Sequence, residues 1–169
     1  ELGVVAMKEE NLLQGKRIII VDDEKDVLDA LRQLLSMCEI TTAATFEEAK
    51  SFLETKELDL AILDIMGVNG YELLDIAKKK GIIAVMLTAH ALSVESTIKS
   101  FKKGAVYFLP KDEMHNIAAH LMDMLRAAAR GESLWARWLE KFDEYYERRF
   151  GPHWKDKDKD FWDKLPYVT

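Results

Sequence analysis

Five short apolar runs, separated by segments of helical periodicity, constrain this chain more than any other feature. They are RIIIV (17–21), ITTAA (40–44), LDLAILDI (58–65), IIAVMLT (82–88) and AVYFLP (105–110). Nearly unbroken hydrophobes of this length suit strands buried on both faces, so the runs predict a parallel sheet sandwiched by helices. The intervening segments carry helix signals. Thr45 with Glu48 reads as a capping box. Val27, Leu31, Leu34 and Leu35 share one helical face, as do Ile117, Leu121, Met124 and Ala128. The pattern is (βα)5 within residues 16–130. A closed eight-stranded barrel needs roughly twice that length, which leaves an open, doubly wound α/β sheet.

Composition narrows the function classes. The chain has 169 residues and a formal net charge of −6, a balance that argues against a nucleic-acid footprint. Cys38 is alone, which excludes an internal disulfide framework and fits a reducing compartment. The opening ELGVVAMKEENLLQGK lacks the pattern of a signal peptide, and no run approaches a membrane span. The expectation is a cytoplasmic protein without membrane contact. Met7 reads as the natural start, within an N-terminal extension of residues 1–15.

In open parallel sheets, ligands bind beyond the carboxyl ends of the strands, where the crossover direction reverses. Asp22 and Asp23 follow the first run, Asp64 lies near the end of the third, Thr88 ends the fourth, and Lys111 follows the fifth. Singly, each has a plainer reading: Asp23 as a helix cap, Asp64 as a turn former, Thr88 as a strand residue, Lys111 as a solvated charge. Together they are the groups one chemistry needs. Crowded carboxylates repel unless a divalent cation neutralises them, and Mg2+ takes carboxylate and phosphate oxygens together. Asp64 is then a nucleophile that accepts a phosphoryl group, with Thr88 and Lys111 each holding a phosphoryl oxygen.

Residues 16–130, through KRIIIVDDEKDVLDAL, LAILDIMGVNGYELL, AVMLTAH and KKGAVYFLPK, resemble the receiver domain of two-component response regulators. The resemblance implies a flavodoxin-like fold with strand order 2-1-3-4-5 and a phosphoryl group received from a histidine kinase or phosphotransfer protein. It also implies Mg2+ held by Asp22, Asp23, Asp64 and the Met66 backbone carbonyl, and a switch made of Thr88 and the aromatic residue three before the lysine, Phe108. Tyr107 is the rival for that aromatic position. Such a protein signals; it is not a turnover enzyme, although it catalyses its own phosphoryl transfer and dephosphorylation. Two departures stand out. Only five residues separate Asp64 from Gly70, with no proline among them, so the loop past the nucleophile is short. Lys111 is preceded by Pro110 and followed by Asp112, where receivers commonly place a proline after the lysine.

Beyond residue 130 the composition changes. Ten of the 16 aromatic residues, including all four Trp, lie in residues 131–169, with 8 Lys and Arg against 9 Asp and Glu. That charge disfavours output by DNA binding. Trp135, Trp138, Leu139, Phe142, Tyr145, Tyr146 and Phe150 form one helical stripe. The stripe either packs on the receiver or serves a homodimer or another partner. KDKDKD (155–160) reads as a solvated charge run. The favoured function is a phosphorylation-dependent receiver whose output is protein–protein contact with an unknown partner. The alternative is a receiver-like interaction or dimerisation module that needs no phosphate.

Overall fold

The computed structural model describes residues 12–164; most of the N-terminal extension, Met7 included, lies outside the described residues. Five parallel strands form one sheet in the order 2-1-3-4-5: β1 (Arg17–Val21), β2 (Glu39–Ala43), β3 (Leu60–Asp64), β4 (Ile83–Thr88) and β5 (Tyr107–Pro110). Helices α1 (Lys25–Leu34), α2 (Phe46–Thr55), α3 (Gly70–Lys79), α4 (Val94–Lys102) and α5 (Ile117–Ala129) connect or follow them. This is the flavodoxin-like arrangement. Every residue of β3 is buried, as are Ile18 through Val21, which is why both runs contain no polar alternation.

The sheet places β1 beside β3, with Val21 level with Leu63, so the residues that follow both strands emerge at the same edge. Asp64 pairs with Leu87 and Thr88 with Pro110, which brings the ends of β4 and β5 to that edge too. The short crossovers are fixed by capping. Thr45 accepts the Glu48 amide, while the Glu48 carboxylate returns to the Ala44 amide, one residue earlier than a reciprocal box requires. The full reciprocal box occurs at α4, between Ser93 and Ser96.

After α5 the chain reverses at Gly131, whose φ of +70° favours glycine. It then runs back as α6 (Leu134–Phe150), followed by a short 3-10 turn at Asp156–Asp158 and α7 (Lys159–Lys164). The aromatic stripe of α6 faces inward: Trp135, Trp138, Phe142 and Tyr146 are buried in the same core as the sheet. They cover α4, β5 and α5. Phe101 of α4 meets Trp135 and Trp138, and Tyr107 of β5 meets Phe142. Because β5 is an edge strand, its outward backbone groups need partners, and Trp138 Nε1 donates to the Phe108 carbonyl at 2.7 Å. Thr97 of α4 and the Tyr146 hydroxyl share a buried hydrogen bond of 2.6 Å. Arg137 grips Asp123 of α5 with two bonds, of 3.0 and 2.7 Å.

The charge run at 155–160 is only partly solvated. Lys157 reaches Glu95 at 2.9 Å and Asp158 reaches Lys102 at 3.4 Å, both on α4. No helix of the described residues is long and apolar enough to cross a membrane. Trp138→Ala removes a fully buried ring and orphans a buried carbonyl. It should cost about 3–5 kcal/mol in a denaturant melt of the full chain, against about 1 kcal/mol or less for half-buried Arg137→Lys.

Candidate functional site

At the carboxyl edge of the sheet, Asp22, Asp23 and Asp64 each offer a carboxylate oxygen, and these atoms lie within 4.8 Å of one another. Asp22 is 0% exposed and Asp64 4%, whereas Asp23 is open to solvent. The burial follows from position, since Asp22 continues β1 and Asp64 ends β3, both in the sheet centre. Asp22 Oδ1 accepts the Glu24 amide at 2.9 Å, so Asp22, not Asp23, closes the turn into α1. The residue at the head of α1 is Glu24, and it supplies no side-chain cap.

Lys111, the first residue past β5, partly offsets the charge of the cluster. Its Nζ is 2.8 Å from Asp22 Oδ2, 3.1 Å from Glu24 Oε1 and 3.7 Å from Asp64 Oδ2. Pro110 is the last strand residue, and Lys111 opens a 3-10 turn, Lys111–Asn116, that leads into α5. Burial alone would lower the ammonium's pKa, but the Asp22, Asp64 and Glu24 carboxylates outweigh it and hold the pKa above its ordinary value. Glu24 was not among the residues expected here. The uninterrupted acidic triplet after β1, DDE, is the signal that could have pointed to it.

Asp64 feels the opposite balance. Burial, then the charge of Asp22, pushes its carboxyl from 3.8 to about 7, with Lys111 opposing. Apart from the Lys111 ammonium at 2.8 Å, Asp22 Oδ2 has no hydrogen-bond partner. Three converging carboxylates, two of them buried, are a donor set suited to a hard, oxygen-seeking cation. Receiver domains typically hold Mg2+ in such an acidic pocket, and these residues fit it.

The short loop after β3 folds against this pocket. Gly67 has φ +83°, and a β-carbon there would run into the Asp23 carboxylate. Gly70 is pressed against the Asp64 carbonyl in the same way. Met66, between them and Asp64, has its side chain 55% exposed at the rim. Thr88 is fully buried, and its hydroxyl accepts the Ala91 amide at 3.2 Å. Phe108 is also fully buried, beneath α6. Tyr107 points elsewhere: its hydroxyl meets His120 Nδ1 at 3.0 Å under Phe142, away from the acidic edge.

The raised Asp64 pKa has a definite sign. The folded state holds the proton more tightly than the unfolded chain, so the associated stability is full below 3.8 and lost as pH rises through about 7. Metal-free thermal melts should therefore show stability falling over that interval. Asp64→Asn should flatten the dependence and raise the melting temperature at about pH 8.

Comparison with known proteins agrees with this geometry. Residues 18–123 match the family model of the response regulator receiver domain. The chain is 30% identical over 118 residues to the two-component response regulator ARR18 of Arabidopsis thaliana, covering 64% of this chain and 18% of that protein. The chain spans about half or less of the length of the curated relatives it matches. Among solved structures, a CheY-like receiver domain protein from Methanospirillum hungatei JF-1 superimposes with a TM-score of 0.55 at 30% identity, covering 65% of this chain and 95% of that one. The receiver domain of NtrX from Brucella abortus gives 0.56 at 28%, covering 63% and 94%. With residues 18–123 matched to the family model and the 2-1-3-4-5 sheet shared with solved receivers, the chain belongs to the receiver domain family of two-component response regulators.

Proposed function

We propose that this chain accepts a phosphoryl group on Asp64 from a histidine kinase or phosphotransfer protein and signals through protein–protein contact. The observation that carries the reading is the convergence of Asp22, Asp23 and Asp64 within 4.8 Å, with Lys111 reaching both buried carboxylates from β5. Asp22, Asp23, Asp64 and the Met66 carbonyl would hold Mg2+. When bound, the ion neutralises the crowded carboxylates and spreads the charge of the transferring group.

The residues of the chain supply the remaining parts. Ionised Asp64 attacks phosphorus; its Oδ–P bond forms as the bond to the donor breaks, and the donor leaves with the electron pair. With its pKa raised to about 7, Asp64 is only partly ionised at neutral pH in the absence of a cation, and a bound cation would favour the ionised, nucleophilic form. Lys111, already 3.7 Å from Asp64 Oδ2, meets the incoming phosphoryl oxygen as a point charge. The Thr88 hydroxyl accepts from Ala91 and keeps its own proton for a phosphoryl oxygen. Phe108, level with Met86 on the strand adjoining that of Thr88, would complete the switch.

Output by DNA binding is not part of this reading, since residues 131–169 carry no net positive charge and their aromatic stripe is spent inward. A partner, or a second copy in a homodimer, that uses the face of α4, β5 and α5 competes with α6 for it. With Mg2+ and acetyl phosphate, intact-mass analysis should show one added phosphoryl group, and Asp64→Asn should abolish it. No adduct with any small phosphodonor, together with no Mg2+ response in NMR, would instead favour an interaction module that works without phosphate.

A further inference from the structure

We propose that α6 is a working part of the acceptor site, with Trp138 and Tyr145 acting as positioning residues for Lys111. The proposal rests on the reading of Asp64 and Lys111 given above. It adds the element that decides where the ammonium sits.

A lysine delivers its charge at the end of a flexible four-carbon stem, so the position of Nζ depends on how firmly its backbone is held. The backbone around Lys111 has little intrinsic support. It leaves an edge strand and enters a six-residue 3-10 helix, a form with poor hydrogen-bond geometry. Helix α6 fixes it on both sides. Three residues before Lys111, the Phe108 carbonyl receives the buried Trp138 indole N–H at 2.7 Å. One residue after it, the Asp112 carboxylate receives the Tyr145 hydroxyl, which lies 2.9 Å from each oxygen. Trp138 and Tyr145 stand seven residues apart, about two helical turns, so they project from the same side of one rigid helix. The segment 108–112 is thus spanned by a single brace.

The brace is itself anchored. Tyr146 bonds Thr97 of α4 inside the core, and Arg137 and Lys141 hold Asp123 of α5. Asp112 occupies the position directly after the lysine, and it is the residue that Tyr145 holds. Any movement of the Lys111 backbone as the ammonium turns from Asp22 and Glu24 toward a phosphoryl oxygen is accommodated at Phe108 and Asp112. It is therefore coupled to α6, and the coupling is reciprocal.

The experiment uses the full chain and two readouts: phosphoryl uptake from acetyl phosphate with Mg2+, and amide hydrogen exchange of residues 108–112 and α6. Tyr145→Phe and Asp112→Ala should each slow uptake by about fivefold, and Trp138→Phe, which keeps a ring in place, by about tenfold. The double variant Tyr145→Phe with Asp112→Ala should be no slower than either single, because both remove the same link. Asp112→Asn still accepts from Tyr145 and should restore uptake to within about twofold of the unaltered chain. In the metal-free protein, Tyr145→Phe and Trp138→Phe should each raise exchange at 108–112 as well as in α6. Uptake unchanged in all three slow variants, or extra exchange confined to α6, would overturn the proposal. If the unaltered chain takes up no phosphoryl group, the reading of Asp64 as acceptor fails. The metal-free exchange at 108–112 then decides the brace alone: faster exchange supports it and unchanged exchange sinks it.

Discussion

The ammonium of Lys111 makes the carboxyl edge of this sheet tenable. Asp22 follows β1 and Asp64 ends the neighbouring β3, both with almost no access to water, and burial together with the charge of Asp22 raises the pKa of Asp64. Lys111 arrives from the opposite end of the sheet order, contacts both, and adds Glu24 from the head of α1. That contact joins β5 to β1 across β3 and β4 through side chains alone. The compensation is incomplete, since Asp64 still sits well above an ordinary carboxyl and Asp22 Oδ2 has no partner besides the shared Lys111 ammonium. The site thus keeps uncompensated negative charge beside the ammonium that offsets it, as suits an acidic pocket of the kind receiver domains typically use for Mg2+.

How much of this could be read from the sequence depended on whether the signal was local. The five strands were legible because central parallel strands are hydrophobic on both faces, and their ends then placed Asp22, Asp23, Asp64, Thr88 and Lys111 at one edge without knowledge of any contact. Glu24 was passed over because its partner lies 87 residues away. The loop after Asp64 was recognisably short, yet that Gly67 touches Asp23 depends on a backbone path that no pattern encodes. The direction of the aromatic stripe was also open. A periodic row of Trp, Phe and Tyr looks the same whether it faces a partner or its own chain, and here Gly131 turns α6 back onto the receiver. In KDKDKD, alternation suggested solvent, but Lys157 and Asp158 find complementary charges on α4.

The match to the family ends at residue 123, inside α5, so α6 and α7 lie beyond the matched region. Their packing is nevertheless continuous with it. Trp135, Trp138, Phe142 and Tyr146 belong to the same hydrophobic core as Ile18 and Leu63. The face of α4, β5 and α5 is therefore no longer a free surface, and Phe108, at the expected switch position, is sealed from solvent by the protein itself.

The placement of the tryptophans has a practical outcome. All four belong to residues 131–169 and none to the five strands or their connecting helices. Trp138 stacks between Phe142 and Trp162, and Trp154 abuts Tyr146. Indole emission from this protein is thus a native optical gauge of whether the last helices are seated, reaching the sheet only through the bond of Trp138 to β5. Circular dichroism records the whole backbone, so any gap between the two signals on heating would separate undocking of the tail from melting of the domain beneath it.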